Sequence, residues 1–504
     1  MTEAEGLTPQ AALHELDRSL VSGIAWTAAL RWVAQAVSWA GTLYAARILA
    51  PSDYGIVAAA MLPVGLVRMV EDFGLDAVLV QDRRIEGPAQ AQLAGFALLL
   101  SGTLAMTFYA AANPIASFFH EPAVATAVHW LCPLIILDAI QIVPRALLQR
   151  ELAYRRLALL ALVQVCVIQG TLVLAARAGA GYQSLVVNTL AGGLVVTCIL
   201  LRWKPYAVRA PRELRSIAVP IIQGWRLLMS RAAWYAYSNT DRLIVGRVLG
   251  KDLLGAYSFA SDFANQPIQE ITAAFSRVVP GVFSAVQREA AHLRRYFYLL
   301  TEFIFLLALP AAVGLALVAD VFVALALGPQ WGAVVTPLRI LCIATAFTAA
   351  QVFVSHVLMW TGHFRANMWC TMLAVAVLPA TLFAGSRYGL VGVAWSLAIA
   401  LPVVNLPALI IASRTMQAPV WHWLRALTPA SICSAVMAAC VLAVRVALPA
   451  GMSNFLTLVA LVTVGVVAYA AILFTCYRDR AATFVALIRG SSGKLAAPVP
   501  SPEG

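Results

Sequence analysis

Charged residues are scarce in this 504-residue chain, at 12% of the sequence against about 25% in soluble globular proteins. Hydrophobic residues make up 62%. Because a chain with so little polar surface cannot be solvated by water alone, lipid must be the solvent for most of its length. No long polar block interrupts the apolar runs, so we expect no soluble domain.

The sequence also lacks the motifs of common enzyme classes. It has no Walker A motif, no H-E-x-x-H, no G-x-S-x-G and no G-x-G-x-x-G before a helix. The eight cysteines lie inside apolar runs and form no C-x-x-C, which predicts small hydrophobic residues in helices. Most of the basic residues behind the net charge of +12 lie in short connections, as in membrane proteins. We therefore expect a protein that is not an enzyme, with no cofactor, no metal and no nucleic-acid partner.

What the chain has instead is a series of fourteen apolar runs. A transmembrane helix needs about 20 mostly apolar residues, and each run is long enough. The runs are 22–47, 55–80, 89–112, 124–147, 157–177, 181–201, 217–248, 254–286, 296–326, 334–360, 366–385, 389–412, 427–448 and 454–477. The predicted fold class is an all-α polytopic membrane protein with about 14 transmembrane helices.

The basic residues of the connections predict the topology. With a cytoplasmic N-terminus, 21 of the 35 Lys and Arg residues fall in cytoplasmic segments and 6 fall on the opposite side. This asymmetry favours both termini inside. Residues 1–21 are then a cytoplasmic or interfacial segment, with a short amphipathic helix predicted at 8–20. Residues 478–504 form a cytoplasmic tail, whose Gly, Ser and Pro content predicts disorder.

One short turn occurs twice, 200 residues apart. The stretch ARILAPSDYG at 46–55 shares Arg, Leu and Gly with GRVLGKDLLG at 246–255, and Arg31 aligns with Arg231 at the same offset. An even number of helices separates the copies, which predicts parallel six-helix lobes related by a pseudo-two-fold axis along the membrane normal. The predicted organisation is an N-lobe at 22–201, a basic cytoplasmic linker at 202–216, a C-lobe at 217–412 and two further helices at 413–477.

The first turn resembles a known family. The pattern R-x-L-x-P-x-D-Y-G is typical of polysaccharide-export flippases of the Wzx type, in the multidrug/oligosaccharidyl-lipid/polysaccharide exporter superfamily, and the stretch 239–260 resembles the second half of these proteins. The resemblance implies an inner-membrane flippase for an undecaprenyl-diphosphate-linked oligosaccharide. It also implies contact with membrane lipids, a polysaccharide polymerase and export machinery. Lys251 and Leu253 replace Pro51 and Asp53 in the second copy, so we interpret the turn as structural.

Ionisable residues inside spans are costly and are candidate functional residues. Arg31 and Arg231 lie deep in predicted helices 1 and 7, where a guanidinium can bind diphosphate oxygens bidentately. Trp32, Trp234 and Tyr235 are candidates for a substrate cavity, because aromatic faces suit sugar rings. Trp and Tyr also form belts at membrane interfaces, so that alternative stays open.

Acidic residues supply the second group of candidates. Predicted helix 2 contains Glu71, Asp72 and Asp76 in a stretch of six residues, and predicted helix 4 contains Asp138. Carboxylates that lie close together raise one another's pKa, which favours coupling to H⁺ or Na⁺. Arg68 is spaced for a structural ion pair with Asp72, and Arg145 is expected to extend toward the headgroups.

The sequence is compatible with three functions. The first is the polysaccharide flippase, by cation-coupled alternating access, and the second is a lipid II or multidrug exporter of the same superfamily. The third is a membrane glycosyltransferase or polymerase, which requires a large periplasmic loop. The longest predicted periplasmic connections, near 113–123 and 327–333, are too short for one. The sequence leaves open whether the glycan is capsule, exopolysaccharide or O-antigen.

Overall fold

The computed structural model describes residues 9–72, 75–82, 85, 87–211, 214–276, 290–449 and 451–478, and these residues form helices and contain no β-strand. The first part contains α1 (Pro9–Ile48), α2 (Pro51–Asp72), α3 (Leu75–Gln81), α4 (Pro88–Ala110), α5 (Ala112–Phe119), α6 (Pro122–Arg150), α7 (Tyr154–Arg177), α8 (Gln183–Trp203), α9 (Leu214–Leu249) and α10 (Lys251–Ser276). The second part contains α11 (Ala290–Ala326), a 3₁₀ helix (Pro329–Val334), α12 (Val335–Trp360), α13 (Phe364–Ser386), α14 (Gly389–Thr415), α15 (Val420–Ala447) and α16 (Asn454–Cys476).

The membrane class predicted from the sequence is confirmed. Within the described residues, eleven helical segments are long and apolar enough to cross a membrane, and each overlaps one of the predicted spans. They comprise α2, α4, α6, α7, α8, α11, α12 with the preceding 3₁₀ helix, and α13 to α16. The remaining predicted spans fall on the long helices α1, α9 and α10, and residues 277–286 of the span predicted at 254–286 lie outside the described residues. The protein is therefore an all-α, multi-pass membrane protein.

The contacts within the chain divide it into two compact units, Met1–Gly255 and Ala256–Gly504. In the first unit, α6 packs against α2, α3, α4 and α8, while α1 packs against α7. Helix α9 also belongs to this unit and lies against α2 and α3. In the second unit, α11 packs against α12, α15 and α16, and α14 packs against α12 and α13. The lobes 22–201 and 217–412 and their pseudo-symmetry stay a prediction.

One helix differs from its predicted form. Helix α1 runs without interruption from Pro9 to Ile48, where a separate short helix was predicted at 8–20. The predicted second span is described as α2, up to Asp72, and α3, from Leu75, and residues 73 and 74 lie outside the described part of the chain. The prediction that Glu71 and Asp76 belong to one continuous span stays a prediction.

The segment that follows α8 lies against the first unit. The backbone N–H of Arg209 donates to the carbonyl of Ala91 over 2.9 Å, and the Tyr206 hydroxyl donates to the carbonyl of Ile140 over 3.1 Å. Gly95 allows this approach, because a Cβ at that position would lie 1.9 Å from the Arg209 carbonyl oxygen. The described part of the basic linker is thus attached to α4 and α6.

Candidate functional site

A charged cavity of about 620 Å³ lies within the first unit. Helices α2, α3, α6, α7 and α9 contribute to its wall. Its polar lining comprises Arg68, Glu71, Asp76, Asp138, Gln141, Arg145, Gln149, Gln164 and Tyr235. Three of the four acids predicted to couple transport to a cation therefore line one cavity. Asp72 lies outside the residues whose side chains the structure describes.

An ion pair crosses this cavity between α2 and α6. The Nε of Arg68 lies 2.6 Å from Oδ2 of Asp138, with 44% and 22% of the two side chains exposed. The sequence pattern had suggested Asp72 as the partner of Arg68. The side chain of Asp72 lies outside the description, so that pair stays a prediction, and the structure adds Asp138 on another helix as a partner. Because both side chains face open space, water or a ligand can reach the pair.

A hydrogen-bonded chain holds Arg145 at the cavity wall. Its Nη2 donates to Oε1 of Gln141 over 2.8 Å, one helical turn earlier on α6. The amide of Gln141 donates in turn to the Thr197 hydroxyl over 2.9 Å and to the Gly193 carbonyl over 3.3 Å. Gln141 is almost fully buried, so α8 fixes its orientation. This amide gives Arg145 an internal acceptor, and the expectation that Arg145 extends toward the headgroups stays a prediction.

Acidic side chains occupy the cavity wall formed by α2 and α3. Glu71 is 1% exposed, whereas Asp76 is half-buried. Together with Asp138 they give three carboxylates around one space, opposed by the two guanidinium groups of Arg68 and Arg145. This mixture of charges suits an ion or a charged substrate far better than it suits an apolar ligand.

Tyr235 joins α9 to the wall of the cavity. Its hydroxyl donates to the carbonyl of Leu62 on α2 over 2.8 Å. The close approach depends on Gly65, since a Cβ there would lie 2.2 Å from the Tyr235 hydroxyl oxygen. The structure thus places one of the five predicted substrate-binding residues at the cavity.

The other predicted substrate-binding residues lie elsewhere or outside the description. Arg31 and Trp32 are exposed on α1, and Trp32 has 67% of its surface accessible. Trp234 is also exposed, at 64%, on α9. The side chain of Arg231 lies outside the described residues. Arg31, Trp32 and Trp234 are not among the described residues that line the cavity.

The repeated turns meet in a reciprocal contact. A Cβ at Gly55 would lie 1.8 Å from the carbonyl oxygen of Lys251, and a Cβ at Gly255 would lie 1.9 Å from that of Pro51. Gly55 and Gly255 are counterparts 200 positions apart, and so are Pro51 and Lys251, so the two contacts are equivalent. The shared glycines therefore let the first turns of α2 and α10 approach closely.

Charged residues reinforce this turn contact, which we define as Pro51–Gly55 against Lys251–Gly255. The Nζ of Lys251 lies 2.8 Å from the Glu121 carboxylate, and this hydrogen bond raises the pKa of Lys251. Nearby, Nη1 of Arg247 donates to the carbonyl of Phe118 over 2.6 Å and lies 2.8 Å from Nδ1 of His120. The turn is structural in this state, as its sequence departures had indicated.

The sequence contains a signal for the residues that were missed. Asp138, Gln141, Arg145 and Gln149 recur at intervals of three or four on α6, so they share one helical face. A polar stripe along an otherwise apolar span indicates a face directed away from lipid. Taken together, these four positions place Gln141, Arg145 and Gln149 on the same helical face as Asp138.

Comparisons with known proteins agree with this architecture. Residues 45–336 match the family described as polysaccharide biosynthesis protein. The chain is 23% identical to the lipopolysaccharide biosynthesis protein WzxC of Escherichia coli K12 over 393 residues, which are 75% of this chain and 77% of that protein. It is 25% identical over 389 residues to the succinoglycan biosynthesis transport protein ExoT of Rhizobium meliloti, covering 74% and 79% of the two chains. It is 24% identical over 344 residues to the teichuronic acid biosynthesis protein TuaB of Bacillus subtilis, covering 67% and 70%.

Solved structures share the fold. The lipid II flippase MurJ in an inward closed conformation superposes with a TM-score of 0.74 at 13% identity, covering 90% of this chain and 99% of that one. An inward-facing multidrug resistance MATE transporter of the MOP superfamily superposes with a TM-score of 0.57 at 17% identity, covering 75% and 96%. The fold is thus one that polytopic membrane transporters adopt. The chain belongs to the polysaccharide biosynthesis protein family, and the resemblance to Wzx-type flippases inferred from its first turn is confirmed.

Proposed function

We propose that the protein moves an undecaprenyl-diphosphate-linked oligosaccharide repeat unit from the cytoplasmic to the periplasmic leaflet of the bacterial inner membrane. The observation that carries the proposal is the charged cavity inside a membrane-spanning unit. An Arg, Lys or Asp at the centre of a transmembrane helix costs about 2.5–3.5 kcal/mol. The cavity is lined by two Arg, two Asp and one Glu, and five ionisable groups inside a membrane-spanning unit are expensive to retain unless a charged ligand or ion uses them.

The names of the relatives support recognition of the carrier lipid rather than of one sugar. The three proteins are named for lipopolysaccharide, succinoglycan and teichuronic acid. Proteins of one family that are associated with such different glycans must recognise a feature that their substrates share. We propose that this feature is the lipid diphosphate, whose charges require guanidinium or ammonium groups along the path.

The diphosphate is held by Arg31 and Arg231 in this proposal, and the sugar rings contact Trp32, Trp234 and Tyr235. Exposure of Arg31 and Trp32 on α1 is compatible with such a role. Arg31→Ala and Arg231→Ala should each stop export while the protein still accumulates in the membrane. Lys should rescue poorly at both positions, because it keeps the charge but loses the fork geometry of the guanidinium.

Transport is coupled to H⁺ or Na⁺ by the acids Glu71, Asp72, Asp76 and Asp138 in this proposal. Three of them line the charged cavity, which supports a shared role. Replacing each acid singly by its amide should abolish export, or remove its dependence on pH or Na⁺, at one position at least. Four variants that export normally, with unchanged ion dependence, would exclude this coupling site.

The experiment that tests the main proposal uses the full chain in proteoliposomes. A fluorescent polyprenyl-diphosphate oligosaccharide is placed in both leaflets, and a membrane-impermeant quencher reports how fast the inner pool becomes accessible. We expect rapid exchange with the protein and slow exchange without it. Lipid II and a cationic dye are tested in the same way, and movement of either in preference to the oligosaccharide would favour the corresponding exporter. No movement of the oligosaccharide would refute the proposal.

The proposal includes a topology with both termini in the cytoplasm, fourteen spans and two pseudo-symmetric lobes. Reporter fusions after residues 120 and 330 should be periplasmic, and fusions after 210 and 500 should be cytoplasmic. A polysaccharide polymerase and export machinery are the expected partners on the periplasmic side. Genes for glycosyltransferases and a polymerase next to this one would support that assignment.

A further inference from the structure

The Arg68–Asp138 ion pair differs in its surroundings from two other ion pairs that the described residues of the first unit form. It lies on the wall of the 620 Å³ cavity and bridges α2 and α6. The pairs Lys204–Glu151 and Lys251–Glu121, by contrast, are not part of the cavity wall. A partner of Arg68 can therefore leave and be replaced from the cavity without unpacking a helix.

A second guanidinium lies on the same face of α6 as Asp138. Arg145 follows Asp138 by seven residues, or about 10.5 Å along the helix axis. The buried amide of Gln141 holds it in place over 2.8 Å. The long arginine side chain and the carboxylate together span much of this distance. Asp138 thus has a second cation to turn toward when it leaves Arg68.

The charges that line the cavity are unfavourable for a diphosphate. Among the described residues, Arg68 and Arg145 contribute two positive charges, while Glu71 on α2, Asp76 on α3 and Asp138 on α6 contribute three carboxylates. Tyr235 on α9 and Gln164 on α7 add neutral polar groups. An incoming phosphate therefore competes with Asp138 for Arg68, and like charges at close range cost several-fold in affinity.

We propose that the Asp138 carboxylate takes the place of a substrate phosphate: it pairs with Arg68 when no substrate is bound, and the diphosphate displaces it toward Arg145. The proposal rests on the function proposed above and adds Arg68 to the substrate-binding residues. The exchange itself breaks and forms ion pairs only, and proton uptake by the acids belongs to the coupling step proposed above. Pairing with Asp138 keeps Arg68 from binding other anions when no substrate is bound. The same pairing lowers the affinity of Arg68 for the substrate.

The proposal makes an unusual prediction for binding. Removing the competing charge with Asp138→Asn should tighten binding of the substrate's anionic group by about tenfold, ~1.4 kcal/mol. Arg68→Ala should weaken binding by a similar factor. The double variant should behave like Arg68→Ala alone, because Asp138 acts through Arg68. A purely structural ion pair predicts that both single variants lose binding together with stability.

The experiment measures binding to the purified full chain in nanodiscs. Inorganic pyrophosphate and a short-chain polyprenyl diphosphate are titrated by calorimetry, with thermal unfolding recorded for every variant. Glu151→Gln is the matched control, because it breaks an ion pair of the same unit away from the cavity, and it should leave both affinities unchanged. An Asp138→Asn variant that binds pyrophosphate no tighter than the wild type would overturn the proposal.

A second variant keeps the test valid if Asp138→Asn does not accumulate. Arg68→Lys retains the positive charge and the pairing with Asp138, but it loses the bidentate fork, so it should bind pyrophosphate several-fold more weakly. Wild-type affinity in both Arg68→Lys and Arg68→Ala would exclude Arg68 as a phosphate ligand. If the variants show this binding pattern but the protein does not move the oligosaccharide in proteoliposomes, the transport proposal alone is refuted. If the protein moves the oligosaccharide but Asp138→Asn binds pyrophosphate with wild-type affinity, the exchange alone is refuted.

Discussion

An alanine in place of Gly55 tests the reciprocal contact between the repeated turns. The added Cβ would lie 1.8 Å from the carbonyl oxygen of Lys251, so the two turns must separate by at least ~1.2 Å to reach 3.0 Å. The obstacle is backbone at a helix start, which cannot rotate away as a side-chain tip can. Overpacking of this kind costs about 1–3 kcal/mol. Gly255→Ala should cost a similar amount, because its Cβ would meet the Pro51 carbonyl at 1.9 Å.

The measurement is thermal unfolding of the purified protein in detergent, with membrane abundance as a second readout. Gly102→Ala on α4 is the matched control, because a Cβ at that position would meet no heavy atom within 4 Å and alanine favours the helix by up to about 1 kcal/mol. We expect Gly55→Ala to be destabilised and Gly102→Ala to be neutral or slightly stabilised. The double variant Gly55→Ala with Gly255→Ala should lose less than the sum of the single losses, since the first change already opens the contact. Equal stability of Gly55→Ala and Gly102→Ala would refute the close contact.

Three further predictions concern the first unit. Tyr235→Phe removes the donor to the Leu62 carbonyl and should lower the unfolding free energy by about 0.5–1.5 kcal/mol, measured in the same assay. Gln141→Leu leaves Arg145 without its 2.8 Å acceptor and should cost about 1–3 kcal/mol, and a neutral result would mean that another acceptor replaces the amide. Because the pKa of Lys251 is raised in the folded protein, its contribution to stability is fully present below the ordinary lysine pKa of about 10.4 and is lost as the pH rises beyond it. Lys251→Met should remove that alkaline loss, and an unchanged pH profile would contradict the assignment.

The fold class was predictable because it depends on composition over long windows. Eleven helical segments of the structure coincide with apolar runs read from the sequence, since about 20 apolar residues in a row admit few alternatives. Helix ends were less predictable. Helix α1 continues from Pro9 to Ile48 although a separate short helix was predicted at 8–20, because hydropathy averaged over a span does not register where a helix begins.

The candidate site was predictable only in part, for a physical reason. Charge in an apolar run identified Glu71, Asp76 and Asp138 as candidates, and these residues line one cavity. Spacing along one helix suggested Asp72 as a partner of Arg68, and it gave no sign of the ion pair with Asp138 from α6. Ion pairs between helices depend on which faces pack together, and one sequence does not specify that.

The turn contact and the charged cavity lie at opposite ends of the same helix. Pro51 and Gly55 begin α2, while Arg68 follows 17 residues after Pro51, about 25 Å along the axis. That distance is most of the ~30 Å apolar thickness of a bilayer. In the predicted topology the turn contact lies at the periplasmic surface, and the cavity lies toward the cytoplasm. A change at the turn contact, such as Gly55→Ala, therefore acts far from the charged cavity, so a loss of export in that variant would not arise from a lost contact in the cavity.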